Sequence, residues 1–147
     1  MIKQATLADV ENLAHLFDAY RQFYHKTADL KAAADFLQAR IENNESVIYI
    51  AMNELNHFTG FVQLYPSFSS TRLKRFWVLN DLFVDPEFRG NGYSKDLIEK
   101  AKDLCQATNA CGMLLETSKT NDIGNKLYPS CGFEIRDDAN FYEWELK

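Results

Sequence analysis

A chain of 147 residues and 17.0 kDa, with 46% hydrophobic and 14% aromatic residues, can bury a substantial core, so one domain over residues 1–147 is expected. With 16 basic and 21 acidic residues its formal charge is -5, which argues against a protein that coats nucleic acid and mildly favours a cationic partner. No apolar run reaches bilayer length and Met1-Ile2-Lys3-Gln4-Ala5-Thr6 lacks a signal-peptide core, so a cytoplasmic protein without a membrane partner is expected.

Cys105, Cys111 and Cys131 form no Cys-x-x-Cys pair, and His15, His25 and His57 lack metal-ligand spacing. Neither a disulfide framework nor a metal site is expected.

Ile2 to Ala5 reads as a short edge strand, and Thr6-Leu7-Ala8-Asp9 offers a helix cap with an acidic first turn. Val10, Leu13, Ala14, Leu16, Phe17 and Tyr20 then recur at helical spacing, which predicts a helix ending near Arg21 to Tyr24. A second helix runs from Asp29 to Ile41 on an apolar stripe of Ala33, Phe36, Leu37 and Ile41, and Asn43-Asn44 stops it. Ser46 to Ala51 is β-branched enough for a buried strand, and Thr59 to Tyr65 pairs back with it as a hairpin closed by Pro66. Pro66 to Arg75 reads as a polar loop, open to a solvated connection, an acceptor-site role or a dimer contact.

The most informative stretch follows. Trp77 to Val84 has strand composition, Asp85-Pro86 stops it, and Gly90 and Gly92 stand where a new helix begins. A helix start exposes backbone N–H groups with about half a positive charge behind them, so a loop of small residues there can hold phosphate. The nucleotide patterns do not fit, because no Gly-Lys-Ser/Thr follows and no Gly-x-Gly-x-x-Gly opens an early βαβ unit. The third helix carries Leu97, Ile98, Ala101, Leu104 and Cys105 on one face and turns at Thr108 to Ala110. Gly112 to Thr117 reads as a strand, Asn121 to Tyr128 as a helix, and Phe133 to Ile135 and Phe141 to Leu146 as terminal strands about Asp137 to Asn140.

Val84-Asp85-Pro86-Glu87-Phe88-Arg89-Gly90 and Arg89-x-x-Gly92-x-Ser94 resemble the Arg/Gln-x-x-Gly-x-Gly/Ala signature of the GNAT superfamily of acyl-CoA-dependent N-acetyltransferases, with Ser94 at a glycine or alanine position. Asn121-x-x-Gly124-x-x-Leu127-Tyr128 followed by Gly132-Phe133 resembles a second signature of that family, with Gly124 at an alanine position. The resemblance covers nearly the whole chain. It implies an α+β fold: a mixed, mostly antiparallel sheet with helices on both faces and central strands splayed to admit the cofactor.

It also implies an N-acetyltransferase that moves an acetyl group from acetyl-CoA to a primary amine by direct attack through a tetrahedral intermediate. The backbone of Leu82, Phe83 and Val84 would pair with the pantetheine arm. Arg89, Gly90, Asn91, Gly92, Tyr93 and Ser94 would take the pyrophosphate, and Asn121 would bind the cofactor or order its helix. The end of the first helix, with Tyr20, Tyr24 and His25, would border the acceptor pocket.

Tyr128 stands where the family has its general acid, and a phenol of pKa ~10 can give a proton to a thiolate whose conjugate acid lies near ~8.5. A primary amine of pKa ~10.4 costs roughly 4.6 kcal/mol to deprotonate at neutral pH, so a base or water must accept its proton. Asp81 and Glu116 are the carboxylates best placed for that role. The central strand also resembles that of diamine acetyltransferases, which tend to have acids at both of the positions held here by Asn80 and Asp81. The expected acceptor is a small-molecule amine. Family members often dimerise, which makes a homodimer an expectation too. A catalytically silent acyl-CoA-binding sensor, a protein N-terminal or lysine acetyltransferase and an adenine-nucleotide enzyme are the competing readings.

Overall fold

The structure, a computed structural model, describes residues 1–147. It separates into two compact units, Met1–Glu116 and Thr117–Lys147.

In the first unit a five-stranded sheet runs in the order β1 (Ile2–Gln4), β2 (Val47–Met52), β3 (Phe58–Ser69), β4 (Lys74–Val84) and β5 (Met113–Leu114). The first three pairings are antiparallel and β4 with β5 is parallel. Helix α1 (Val10–Phe23) follows a 3-10 turn at Leu7–Asp9, α2 (Leu30–Glu42) follows it, and α3 (Tyr93–Ala107) connects β4 to β5. The Asp29 carboxylate caps α2 by accepting from the Ala32 N–H at 3.0 Å.

The two faces of the sheet are covered differently because strand side chains alternate. Ile48, Ile50, Met52, Phe61 and Phe83 form one core with Leu13, Ala14 and Phe17 of α1 and Ala33 and Leu37 of α2. On the other face the Lys100 ammonium of α3 lies over the Tyr49 ring, and the Trp77 indole N–H donates to the Thr108 hydroxyl at 2.9 Å. Helices on both faces of a mixed, mostly antiparallel sheet are what the family resemblance implied.

The expected loop from Pro66 to Arg75 is instead the far half of a long hairpin. Pro66 pairs with Trp77, Ser67 with Phe76, Phe68 with Arg75 and Ser69 with Lys74, leaving only residues 70–73 as the turn. Proline was expected to end β3 because it brings no N–H to a ladder. However, the ladder with β2 stops at Val47–Leu64, so from Tyr65 onward β3 has a neighbour on one side only, where proline is tolerated.

The predicted strand Gly112 to Thr117 shrinks to the two positions of β5. Trp77 pairs with Met113 and Val78 with Leu114, and the two strands then part, so β4 runs on to Val84 with no strand on that side. That divergence is the splay the resemblance implied.

In the second unit α4 (Asp122–Ser130) is capped by Asn121, whose side-chain oxygen accepts from the Gly124 N–H at 3.1 Å. No residue after α4 enters a strand, which corrects the expectation of terminal strands at Phe133 to Ile135 and Phe141 to Leu146. Alternating side chains give a segment strand character, but its hydrogen bonds must come from a neighbour.

Candidate active site

The loop between β4 and α3 is built by local chemistry. Asp85 accepts from the Glu87 N–H at 2.9 Å and opens a 3-10 turn over Pro86–Phe88. The Arg89 Nε then donates to the Val84 carbonyl at 3.0 Å, and its guanidinium lies over the rings of Phe23 and Phe83. Gly90 and Gly92 both take left-handed φ values, 83° and 84°, that glycine adopts without steric cost. Gly92 is the N-cap of α3, and the first N–H of the helix to reach a carbonyl is that of Asp96, on Gly92 at 3.1 Å. The amides of Tyr93, Ser94 and Lys95 are therefore the orphan donors of the helix start. Backbone N–H groups presented by two left-handed glycines fit a diphosphate. Sequence reasoning gave Arg89 a place among the phosphate ligands; here its Nε holds the strand end and its charge rests on two rings.

Next to this loop, the edge of β4 contains a bulge. Gln63 of β3 pairs with Asp81, but Leu64 pairs with Leu79, so Asn80 is the extra residue. The bulge changes which face each side chain occupies. Trp77 stays on the α3 side, whereas Phe83 meets the Tyr20 and Phe23 rings of α1. Asp81 lies on that α1 side too, where its carboxylate accepts from Gln63 Nε2 at 2.7 Å, from Asn80 Nδ2 at 3.0 Å and from the Tyr20 hydroxyl.

At 5% exposure, burial pushes the Asp81 carboxyl above the ordinary aspartate range, and the three donors pull it part of the way back. Tyr65, half-buried and repelled by the Asp81 charge, is pushed up to about 12 and keeps its proton at working pH. Gln63 is fully buried and its side-chain oxygen has no hydrogen-bond partner. Sequence reasoning missed Gln63, because only the pairing register sets it opposite Asp81.

Leu82 and Val84 are half-buried, and Leu82, Phe83 and Val84 all pair with β3 on one side while the other side of β4 carries no strand there. Glu116 is exposed at the end of the first unit. Within the second unit, Asn121 caps α4 and also donates to the Thr117 hydroxyl at 2.9 Å, and the Tyr128 ring meets Phe133 edge-on at 5.8 Å. Gly124 leaves room for that cap, since a Cβ there would come within 2.5 Å of the Asn121 amide nitrogen. No cluster of three or more His, Cys, Asp or Glu side chains is arranged to hold a metal ion.

Residues 10–133 match the model of the acetyltransferase (GNAT) family. The chain belongs to the GNAT acetyltransferase family. It is 43% identical over 145 residues to YhfO of Bacillus subtilis (strain 168), named as an uncharacterized N-acetyltransferase, covering 99% of this chain and 95% of the relative. A probable acetyltransferase of Haemophilus influenzae (strain ATCC 51907 / DSM 11121 / KW20 / Rd) is 33% identical over 138 residues, or 94% of this chain and 92% of that protein. A crystal structure of a probable acetyltransferase matches with a TM-score of 0.95 at 38% identity, covering 100% of this chain and 98% of the other.

GNAT membership gives the β4–α3 loop its context, since the family uses acetyl-CoA as acyl donor.

Proposed function

We propose that this acetyltransferase moves the acetyl group of acetyl-CoA to the primary amine of a small-molecule acceptor. The observation that carries the reading is the buried Asp81 carboxylate, turned by the Asn80 bulge toward the aromatic end of α1 and raised in proton affinity by burial. An anion so placed can attract an ammonium and then take its proton, because raising a base toward the amine's own range lowers the cost of transfer.

Under this reading the amides at the start of α3, with Gly90, Asn91 and Gly92, hold the diphosphate of the donor, and the open edge of Leu82 to Val84 pairs with its pantetheine arm. Acetyl-CoA supplies an activated acyl carbon. The amine nitrogen attacks that carbon to give a tetrahedral intermediate, the amine proton passes to Asp81 directly or through water, and the carbon–sulfur bond then breaks as the Tyr128 hydroxyl gives a proton to the departing thiolate. The resemblance, not a measured distance, assigns Tyr128 that role, and Asn121 orders the helix that carries it. Asn80 is the bulge residue and donates to Asp81, so the second acid of the diamine enzymes is absent here; the reading favours an acceptor with one amine.

Purified protein mixed with acetyl-CoA and a library of amines should release free thiol at a rate that depends on the acceptor. Binding of acetyl-CoA with no acceptor-dependent release across a broad library would leave a binding protein instead of an enzyme.

A further inference from the structure

Cys105 and Cys111 have a spacing that carries no motif, and it is the fold that brings them together. Cys105 lies near the end of α3, on the buried face it shares with Leu97, Ile98 and Ala101. The left-handed Asn109 then turns the chain back, and the Ala110 N–H donates to the Cys105 carbonyl at 2.9 Å. On the other side of Cys111, the Gly112 carbonyl accepts from the Cys105 thiol at 3.8 Å. Both chain neighbours of Cys111 therefore touch Cys105, at separations shorter than the Cα span of about 4.4–6.8 Å that a disulfide bridges.

The direction of the Cys111 side chain is set by β4. The Cys111 N–H donates to the Arg75 carbonyl at 2.7 Å and the Trp77 N–H donates to the Gly112 carbonyl at 3.0 Å, so the parallel ladder begins here, ahead of the Trp77–Met113 pair. Strand side chains return to the same face at every second residue, which puts Cys111 on the face of Met113 and Trp77. The bond from the Trp77 indole to Thr108, the C-cap of α3, shows that this face looks toward the end of the helix. Burial and the negative charge that Cys111 can carry both push the Cys105 thiol up, in keeping with two sulfurs in one small space. All three cysteines are free; Cys105 and Cys131 are buried and Cys111 is half-buried, so of the pair Cys111 is the one a small oxidant meets.

We propose that Cys105 and Cys111 are a reversible disulfide site that ties the end of α3 to the start of β5. The oxidant is a peroxide. The Cys111 sulfur attacks one peroxide oxygen as the oxygen–oxygen bond breaks, leaving a sulfenic acid and water. The Cys105 sulfur then attacks the Cys111 sulfur; the sulfur–sulfur bond forms, the sulfur–oxygen bond breaks, and the hydroxyl leaves with the Cys105 proton as a second water. The two thiols lose two electrons and the peroxide gains them. A dithiol reverses the step by exchange. The tether acts where the sheet is thinnest, because β5 pairs with β4 through Met113 and Leu114 alone before the strands part. Closing this short loop restricts the unfolded chain and fixes the base of the gap.

Folded full-length protein is treated with a small molar excess of hydrogen peroxide, then unfolded, alkylated and digested with trypsin. Residues 103–119 contain no internal lysine or arginine, so both cysteines leave in one peptide. Its sulfurs should resist alkylation until a dithiol is added, while Cys131 takes the label at once. The oxidised protein should also melt several degrees above the reduced one, the scale for closing a short loop in a domain of this size, and Cys111→Ser should abolish that difference. Two labelled thiols in the peptide, a sulfinic or sulfonic acid at Cys111 in place of the bond, or a link to Cys131 or to a second chain would overturn the inference. So would an oxidised form that melts no higher than the reduced one. The peptide map and both melting curves of the wild type stand without the variant, so a Cys111→Ser chain that failed to fold would leave the test intact.

Discussion

Asp81 combines a charge, near-complete burial and three donors, and these set opposite expectations for stability and turnover. Its folded-state proton affinity is raised, so its contribution to stability is fully present below the unfolded aspartate value of about 3.9 and declines as pH rises through the folded value. Asp81→Asn removes that decline. At pH 7 the variant should melt no lower than the wild type while acetyl transfer falls by about 10²-fold or more, the usual scale for loss of a general base. A variant that melts lower and turns over normally would make Asp81 a structural residue.

Gln63 offers a finer test, because its amide stabilises the charged form of Asp81. Gln63→Leu removes a bond to a charged group worth about 1.5 kcal/mol, so the acid limb of the pH–kcat profile should move up by about one unit. For Tyr128→Phe, turnover should fall with coenzyme A affinity nearly intact; unchanged turnover would remove Tyr128 from the acid role. Asp81 was legible in the sequence as a carboxylate on the central strand, but its partners were not, because Tyr20 and Gln63 are distant along the chain.

Among the elements, the β4–α3 loop was the easiest to read. Asp85-Pro86, Gly90 and Gly92 dictate their conformations locally, and the structure shows the expected turn and a helix start at Tyr93. Gly92→Ala should raise the dissociation constant for coenzyme A about tenfold, since a left-handed alanine costs roughly 1–2 kcal/mol and relaxation turns the amides away; calorimetry reads this directly.

Less visible in advance was the joint between α1 and α2. Asp18, buried near the end of α1, accepts from the Asp29 N–H at 3.0 Å and from Arg21 at 3.0 Å, and so ties the start of α2 to the aromatic end of α1. Asp18→Ala removes the hydrogen bonds of a charged acceptor to the Asp29 N–H and to Arg21, at a cost of about 1–3 kcal/mol, which thermal melting should register as a drop of several degrees. The β3–β4 hairpin was misread for a different reason. Pro66 ends a strand when both ladders continue past it, and whether β2 continues is a property of the sheet, not of the residues around Pro66.

For the whole molecule, the formal charge of -5 should speed encounter with cationic acceptors at low salt. The kcat/KM for a cationic amine should then fall several-fold as ionic strength rises past the point where the Debye length drops below about 10 Å, while that for a neutral-bodied amine changes less. No helix is long and apolar enough to cross a membrane.

The amino-acid order alone determined helices whose apolar stripes repeat every three to four residues, the caps at Thr6 and Asn121, the glycine turn before α3 and both family signatures, because each depends on neighbours a few positions away. Tertiary structure decided where β4 and β5 part, that the bulge at Asn80 turns Asp81 toward α1, and that residues 133–147 form no strand. A strand's bonds are made to residues far off in sequence, so register, bulge and edge exist only once the partners have met.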